Sequence, residues 1–131
     1  MKRTEIELFE KTNAQLEGLQ SEVLNLSRKS PNDAINKFKL GLINKTIQTA
    51  NRLLGEQYRP FSDFSLFDEN ALPSNSDVTM ILGQYLNCME KLRADNIKVV
   101  DTYSNEWCWK IDGKSSDIAT SLPKKLRAGK K

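Results

Sequence analysis

Apolar residues recur every three or four positions through three long stretches of the chain, and at every second position in a short stretch near its C-terminal end. From residue 4 to 27, Phe9, Leu16, Leu19, Val23 and Leu26 fall at helical spacings with no proline among them, which predicts a first helix. In heptads, Ile6, Asn13 and Gln20 share one seam position, and Phe9, Leu16 and Val23 share the other. Two polar residues in one seam suit a short helix pairing rather than a long coiled coil. Gly18 costs about 1 kcal/mol relative to alanine inside a helix, so packing must hold this one.

The run "SPND" predicts the start of a second helix, with Ser30 as N-cap, Pro31 at the first position and Asp33 in the capping box. Ile35, Phe38, Leu42, Thr46, Thr49 or Ala50, and Leu53 form its stripe, widened by Ile43, Ile47 and Leu54, and Gly55 is a natural stop. Such a helix is about 36 Å long, enough to reach beyond a small domain onto another helix or subunit. Residues 56–75 hold Tyr58, Phe61, Phe64, Leu66, Phe67 and Leu72, which predicts a packed loop whose aromatics plug the end of a helix pair.

A third helix is expected after "PSNSD", with Ser74 or Ser76 as cap and Asp77 in the first turn. Val78, Ile81, Leu82, Tyr85, Leu86, Met89 and Leu92 make it the core helix, closed by Asn96 in a left-handed conformation. "IKVVDTY" and "EWCWKI" then read as a hairpin, with Trp107, Trp109 and Ile111 on one face and Cys108 and Lys110 on the other. A two-stranded hairpin is marginal alone, so the tryptophans are expected to fasten it to the helices, with Trp109 buried. The expected fold is mainly α: a three-helix assembly of long antiparallel helices, a C-terminal two-stranded β-hairpin and a flexible basic tail. Residues 1–112 form one helical domain, with residues 4–27 as a candidate assembly arm, and residues 113–131 form a disordered tail.

Charge changes this picture because it is uneven. Net charge is only +3, yet residues 31–60 carry five basic and two acidic groups, residues 61–96 two and six, and the final "KKLRAGKK" five and none. The chain has no histidine, which removes His-based triads, Cys–His dyads and His-containing metal sites. It has no glycine-rich phosphate loop, and its two cysteines cannot make a structural zinc site within one chain. Carboxylates remain: Asp63, Asp68 and Glu69 in the loop, which read as turn and cap formers, and Glu90 with Asp95, five apart and on diverging faces of a helix. Neither enzymatic activity nor a cofactor or metal is expected.

Glu5, Glu7 and Glu10 interrupt the opening segment before a leader's apolar region can form, no apolar run approaches a membrane span, and Cys88 and Cys108 read as reduced, buried thiols. A cytoplasmic location without membrane contact is the expectation. Two functions remain. The first is a small non-enzymatic interaction or regulatory protein, acting as a homo-oligomer that docks another protein, with Phe9, Leu16, Leu19 and Val23 as the oligomer interface. The alternative is a nucleic-acid-binding protein contacting its ligand through Lys37, Lys45, Arg52, Trp107, Lys124, Lys125 and Arg127.

Overall fold

The computed structural model describes residues 1–101, 106–111 and 114–120. Three helices of similar length, α1 (Arg3–Lys29), α2 (Lys37–Tyr58) and α3 (Asn75–Asp95), precede three strands, β1 (Ile97–Asp101), β2 (Glu106–Ile111) and β3 (Lys114–Thr120). The helices pack on one another around a core in which Ile6, Phe9, Leu16, Leu40, Ile43, Ile47, Val78, Leu82, Tyr85 and Met89 are all sealed from solvent. Every member of the stripe expected on α3 is buried, and Ser74 caps that helix, its hydroxyl accepting from the Asp77 amide at 3.2 Å.

The start of α2 differs from the sequence expectation. Ser30 ends α1 instead of opening α2: its amide donates to the Leu26 carbonyl at 2.8 Å. The "SPND" segment is drawn into pairing with the residues ahead of α3. Ile35 donates to the Pro73 carbonyl at 2.8 Å, Asn75 to that of Asp33 at 2.9 Å and Ser76 to that of Pro31 at 3.0 Å. These long-range backbone bonds claim the groups that a helix would have used, so α2 opens later, with Asn36 accepting from the Lys39 amide at 3.2 Å. Its other end is as expected. Gly55 adopts φ 62°, ψ −173°, a conformation reserved in practice for glycine, and only a short continuation follows.

Stitching residues 30–35 to 73–76 also fixes the direction of α3. It begins beside the start of α2, and the two helices end together, where the Tyr58 hydroxyl donates to Asp95 at 2.6 Å. Thus α2 and α3 run parallel, and only α1 is antiparallel to its neighbours. Parallel neighbours of about 33 Å need a connection just as long. The fifteen residues 59–73 span up to about 50 Å when extended, which suffices. The connection is pinned along α2 instead of plugging one end. Asn44 both donates to and accepts from the backbone of Phe67 at 3.0 Å, Asn51 donates to the Ser65 carbonyl at 2.9 Å, and Arg59 to that of Phe64 at 2.7 Å. Phe64 and Phe67 lean inward, edge to face at 5.1 Å. With all three helices alongside one another, α2 does not overhang the domain.

α3 ends at Asn96, which has φ −124° and not the left-handed conformation expected of it. The hairpin forms as β1 antiparallel to β2, with Ile97 opposite Trp109 and Val99 opposite Trp107. β3 then pairs with β2, giving the order β1-β2-β3. This strand lies in the segment expected to be disordered, because "KSSDIAT" shows too little apolar alternation to announce itself; residues 121–131 lie outside the described residues. Trp109 is fully buried. Its ring meets Phe9 edge to face at 5.0 Å, and its Nε1 donates to the Glu10 carboxylate at 2.8 Å. Thr120 on β3 donates to the same carboxylate oxygen at 3.0 Å. Cys108 is buried as expected, whereas Cys88 is only partly buried. Cys108 sits on the central strand with Lys98 and Ala119 as its register partners, so a small side chain there has little open surface.

Two outcomes check this arrangement. Trp109→Ala should destabilise the fold by about 3–5 kcal/mol, as for other buried aromatics, and wild-type Trp109 should emit at short wavelength; equilibrium denaturation and fluorescence read both. Asn36→Ala should cost about 1 kcal/mol, whereas Ser30→Ala, at the expected but unused cap, should leave the denaturation midpoint nearly unchanged.

Candidate docking groove

α2 carries apolar residues on two flanks, and the helix can turn only one of them inward. Leu40, Ile43, Ile47, Ala50 and Leu54 form the buried flank. Phe38 and Leu42, expected in the core stripe, are left outside at 75% and 41% exposure. They lie four residues apart and so share a helix face. Leu42 borders an open groove of about 560 Å³ between α1 and α2. Thr12 and Thr46 are buried at its floor, Leu8 and Leu19 join Leu42 in its walls, and Lys11, Gln15, Lys45 and Thr49 complete the lining. Small residues at the floor hold the two backbones together without filling the space above them. Thr46 is itself tied down, its hydroxyl donating to the Leu42 carbonyl at 3.0 Å.

Both charged residues that line this groove, Lys11 and Lys45, are basic. From Lys37 to Gly55, α2 contains Lys37, Lys39, Lys45 and Arg52 and no acid. Lys39 is engaged by Glu22 of α1 at 3.0 Å. Lys11 and Lys45, on opposite sides of the groove, form no ion pair among the described residues.

The interface expected from sequence is not the surface found here. Phe9, Leu16 and Val23 are at most 1% exposed within the chain's own core, because the heptad seam of α1 faces α3 and not a second molecule. α1 and α3 approach closely where a Cβ on Gly83 would come within 2.9 Å of Gln20 Nε2. Of the four, only Leu19 reaches the groove. Among the candidate nucleic-acid contacts, Lys37, Lys45 and Arg52 are exposed on α2. Trp107 is half-buried and packed against the core, with its Nε1 buried and unpartnered among the described residues. Lys124, Lys125 and Arg127 lie outside the described residues. The signal that sequence reading missed was Phe38 and Leu42 lying off the Leu40–Ile43–Ile47 line, which merged two faces into one broad stripe.

Of the candidate carboxylates, Asp68, Glu69, Glu90 and Asp95 have structural partners. Asp68 accepts from the Asn70 amide at 2.9 Å, closing a turn, and Glu69 accepts from Asn44 at 3.3 Å. Glu90 pairs with the buried guanidinium of Arg93, and the hydrogen bond to Asp95 raises the Tyr58 pKa. Burial raises the pKa of Tyr85, against the opposing effect of its hydrogen bond to Asn51, and burial likewise pushes the Cys88 thiol up, which disfavours the reactive thiolate. Among the described residues, no group of three or more Cys, Asp and Glu side chains is placed to hold a metal ion. Nor is any described helix long and apolar enough to cross a membrane.

Because Phe38 faces solvent, Phe38→Ser should change stability by no more than about 0.5 kcal/mol, whereas Leu40→Ala, two residues on and fully buried, should cost about 2–5 kcal/mol. Parallel urea titrations of the two variants check the assignment of the two flanks.

Comparison with protein-family models, with curated proteins and with solved structures finds no match, so the functional reading rests on the geometry of this groove.

Proposed function

We propose that the protein is a non-enzymatic interaction module that docks another protein on its α1–α2 face. The observation that carries this reading is the exposed row Phe38–Leu42, continuous with the Leu8- and Leu19-walled groove, on a domain whose core is already filled. A nucleic acid would use the lysines of α2, but it gains little from aliphatic walls, and burial of Trp109 removes one side of the stacking platform that reading needs. Self-association through the α1 seam is not part of the proposal, since those side chains are occupied within the domain.

Magnitudes limit what the apolar row alone can do. Covering Phe38, Leu42 and Leu8 from their present exposure gains about 4 kcal/mol, at about 2–3 kcal/mol for each fully buried side chain. Association costs about 4–15 kcal/mol in lost freedom. The apolar row therefore breaks even at best, and a partner must add contacts around it.

Site-specific photocrosslinking tests the proposal. A benzophenone amino acid replacing Phe38 or Leu42 should trap protein adducts in an extract of the source cells, and excess unlabelled protein should compete them away. The same probe replacing the exposed Gln84 on α3 should give none. Adducts of equal yield from all three positions, or adducts to nucleic acid alone, would count against the α1–α2 face.

A further inference from the structure

Resting on that reading, we infer that the occupant of the groove is an amphipathic helix of another protein, apolar on one face and acidic along its flanks. Three observations on this surface lead to it. The first is shape. The groove is lined from Leu8 to Leu19 on α1, about 16 Å or three turns of helix, and from Leu42 to Thr49 on α2, about 10 Å or two turns, with exposed Phe38 one turn beyond Leu42. A trough of that length between two helices presents apolar walls to a third element, and a helix laying residues i, i+3, i+4 and i+7 into it completes a four-helix layer. An extended strand would find no sheet edge here, since both walls are helices whose backbone groups are already bonded.

The second observation is charge. Lys11 and Lys45 flank the trough from opposite walls without an ion-pair partner among the described residues, and the one acid that reaches across from α1, Glu22, is engaged by Lys39. Acidic side chains on both flanks of an incoming helix meet a lysine on each side. The same feature sets aside two other occupants. A second copy of this chain, docked groove to groove, would bring Lys11 and Lys45 toward their own counterparts. The chain's segment 121–131, "SLPKKLRAGKK", carries five basic groups and no acid, and would face the same repulsion.

The third is the balance of energies argued above. Covering the apolar row alone does not offset association, and the two unpaired lysines add to it only for a partner of opposite charge. This makes binding salt-dependent and selective for sign.

The test uses the full chain and three fluorescein-labelled peptides, the two designed ones of about 18 residues, long enough to form helix on binding. One carries a leucine stripe flanked by glutamates, one the same stripe flanked by lysines, and a third reproduces residues 121–131. Fluorescence anisotropy should show saturable binding of the glutamate-flanked peptide, weakened by salt, and little binding of the other two. Lys11→Glu with Lys45→Glu should weaken the glutamate-flanked peptide about tenfold and admit the lysine-flanked one. Leu42→Asp, with its helicity checked by circular dichroism, should weaken both. Equal binding of both designed peptides, with Leu42→Asp still disruptive, would overturn the acidic partner while leaving the groove as a docking face. Absence of any binding that Leu42→Asp disturbs would overturn both. Saturable binding of the 121–131 peptide, a dimer in sedimentation that Leu42→Asp dissociates, or displacement of the peptide by a short oligonucleotide would each replace the proposed occupant with another.

Discussion

Two parallel helices need a connection as long as they are, and that constraint organises the domain. The chain meets it with residues 59–73, laid along one flank of α2 and held by the side chains of Asn44, Asn51 and Arg59. Each of these bonds satisfies a backbone group that would otherwise compete for water beside the core. Once the connection occupies that flank and the core takes the Leu40–Ile43–Ile47 flank, the face bearing Phe38 and Leu42 has no partner within the described chain. The exposed row is thus a consequence of how the chain returns, not a local accident of composition.

A second contact closes the molecule at its other end. Trp109 rests edge-on against Phe9 while its indole nitrogen donates to Glu10, and Thr120 donates to the same carboxylate oxygen. One acid on α1 therefore holds both the central strand and an outer strand of the sheet. A buried indole N–H without an acceptor costs about 1–3 kcal/mol, so the pairing with Glu10 selects one seating of the sheet against α1. Nothing in the sequence neighbourhood of Glu10 marks it as the acceptor for a residue 99 positions away.

The functional reading follows from what these two constraints leave over. Asp68, Glu69, Glu90 and Asp95 are engaged in a turn, an asparagine hydrogen bond, an ion pair and a tyrosine hydrogen bond. The heptad seam of α1 is used inside the domain. What remains is a trough with apolar walls, small residues at its floor and one lysine on each side. The proposed docking of a helix rests on that trough.

Periodicity alone determined that three long helices exist, that α3 is the central one, and that Gly55 breaks α2, because each depends on residues near in sequence: a stripe, a cap, a backbone angle only glycine tolerates. It also indicated that a tryptophan must fasten the strands, since a bare hairpin cannot hold itself. The tertiary structure decided the rest. Ser30 loses its place as a cap because bonds to residues 73–76 outweigh local preference. β3 exists because β2 offers it an edge, and its own pattern is too polar to foretell it. Above all, α2 has two apolar flanks of similar strength, and a one-dimensional pattern cannot rank them. Only the packing of α1, α3 and the returning connection chose which flank is core and which is left exposed.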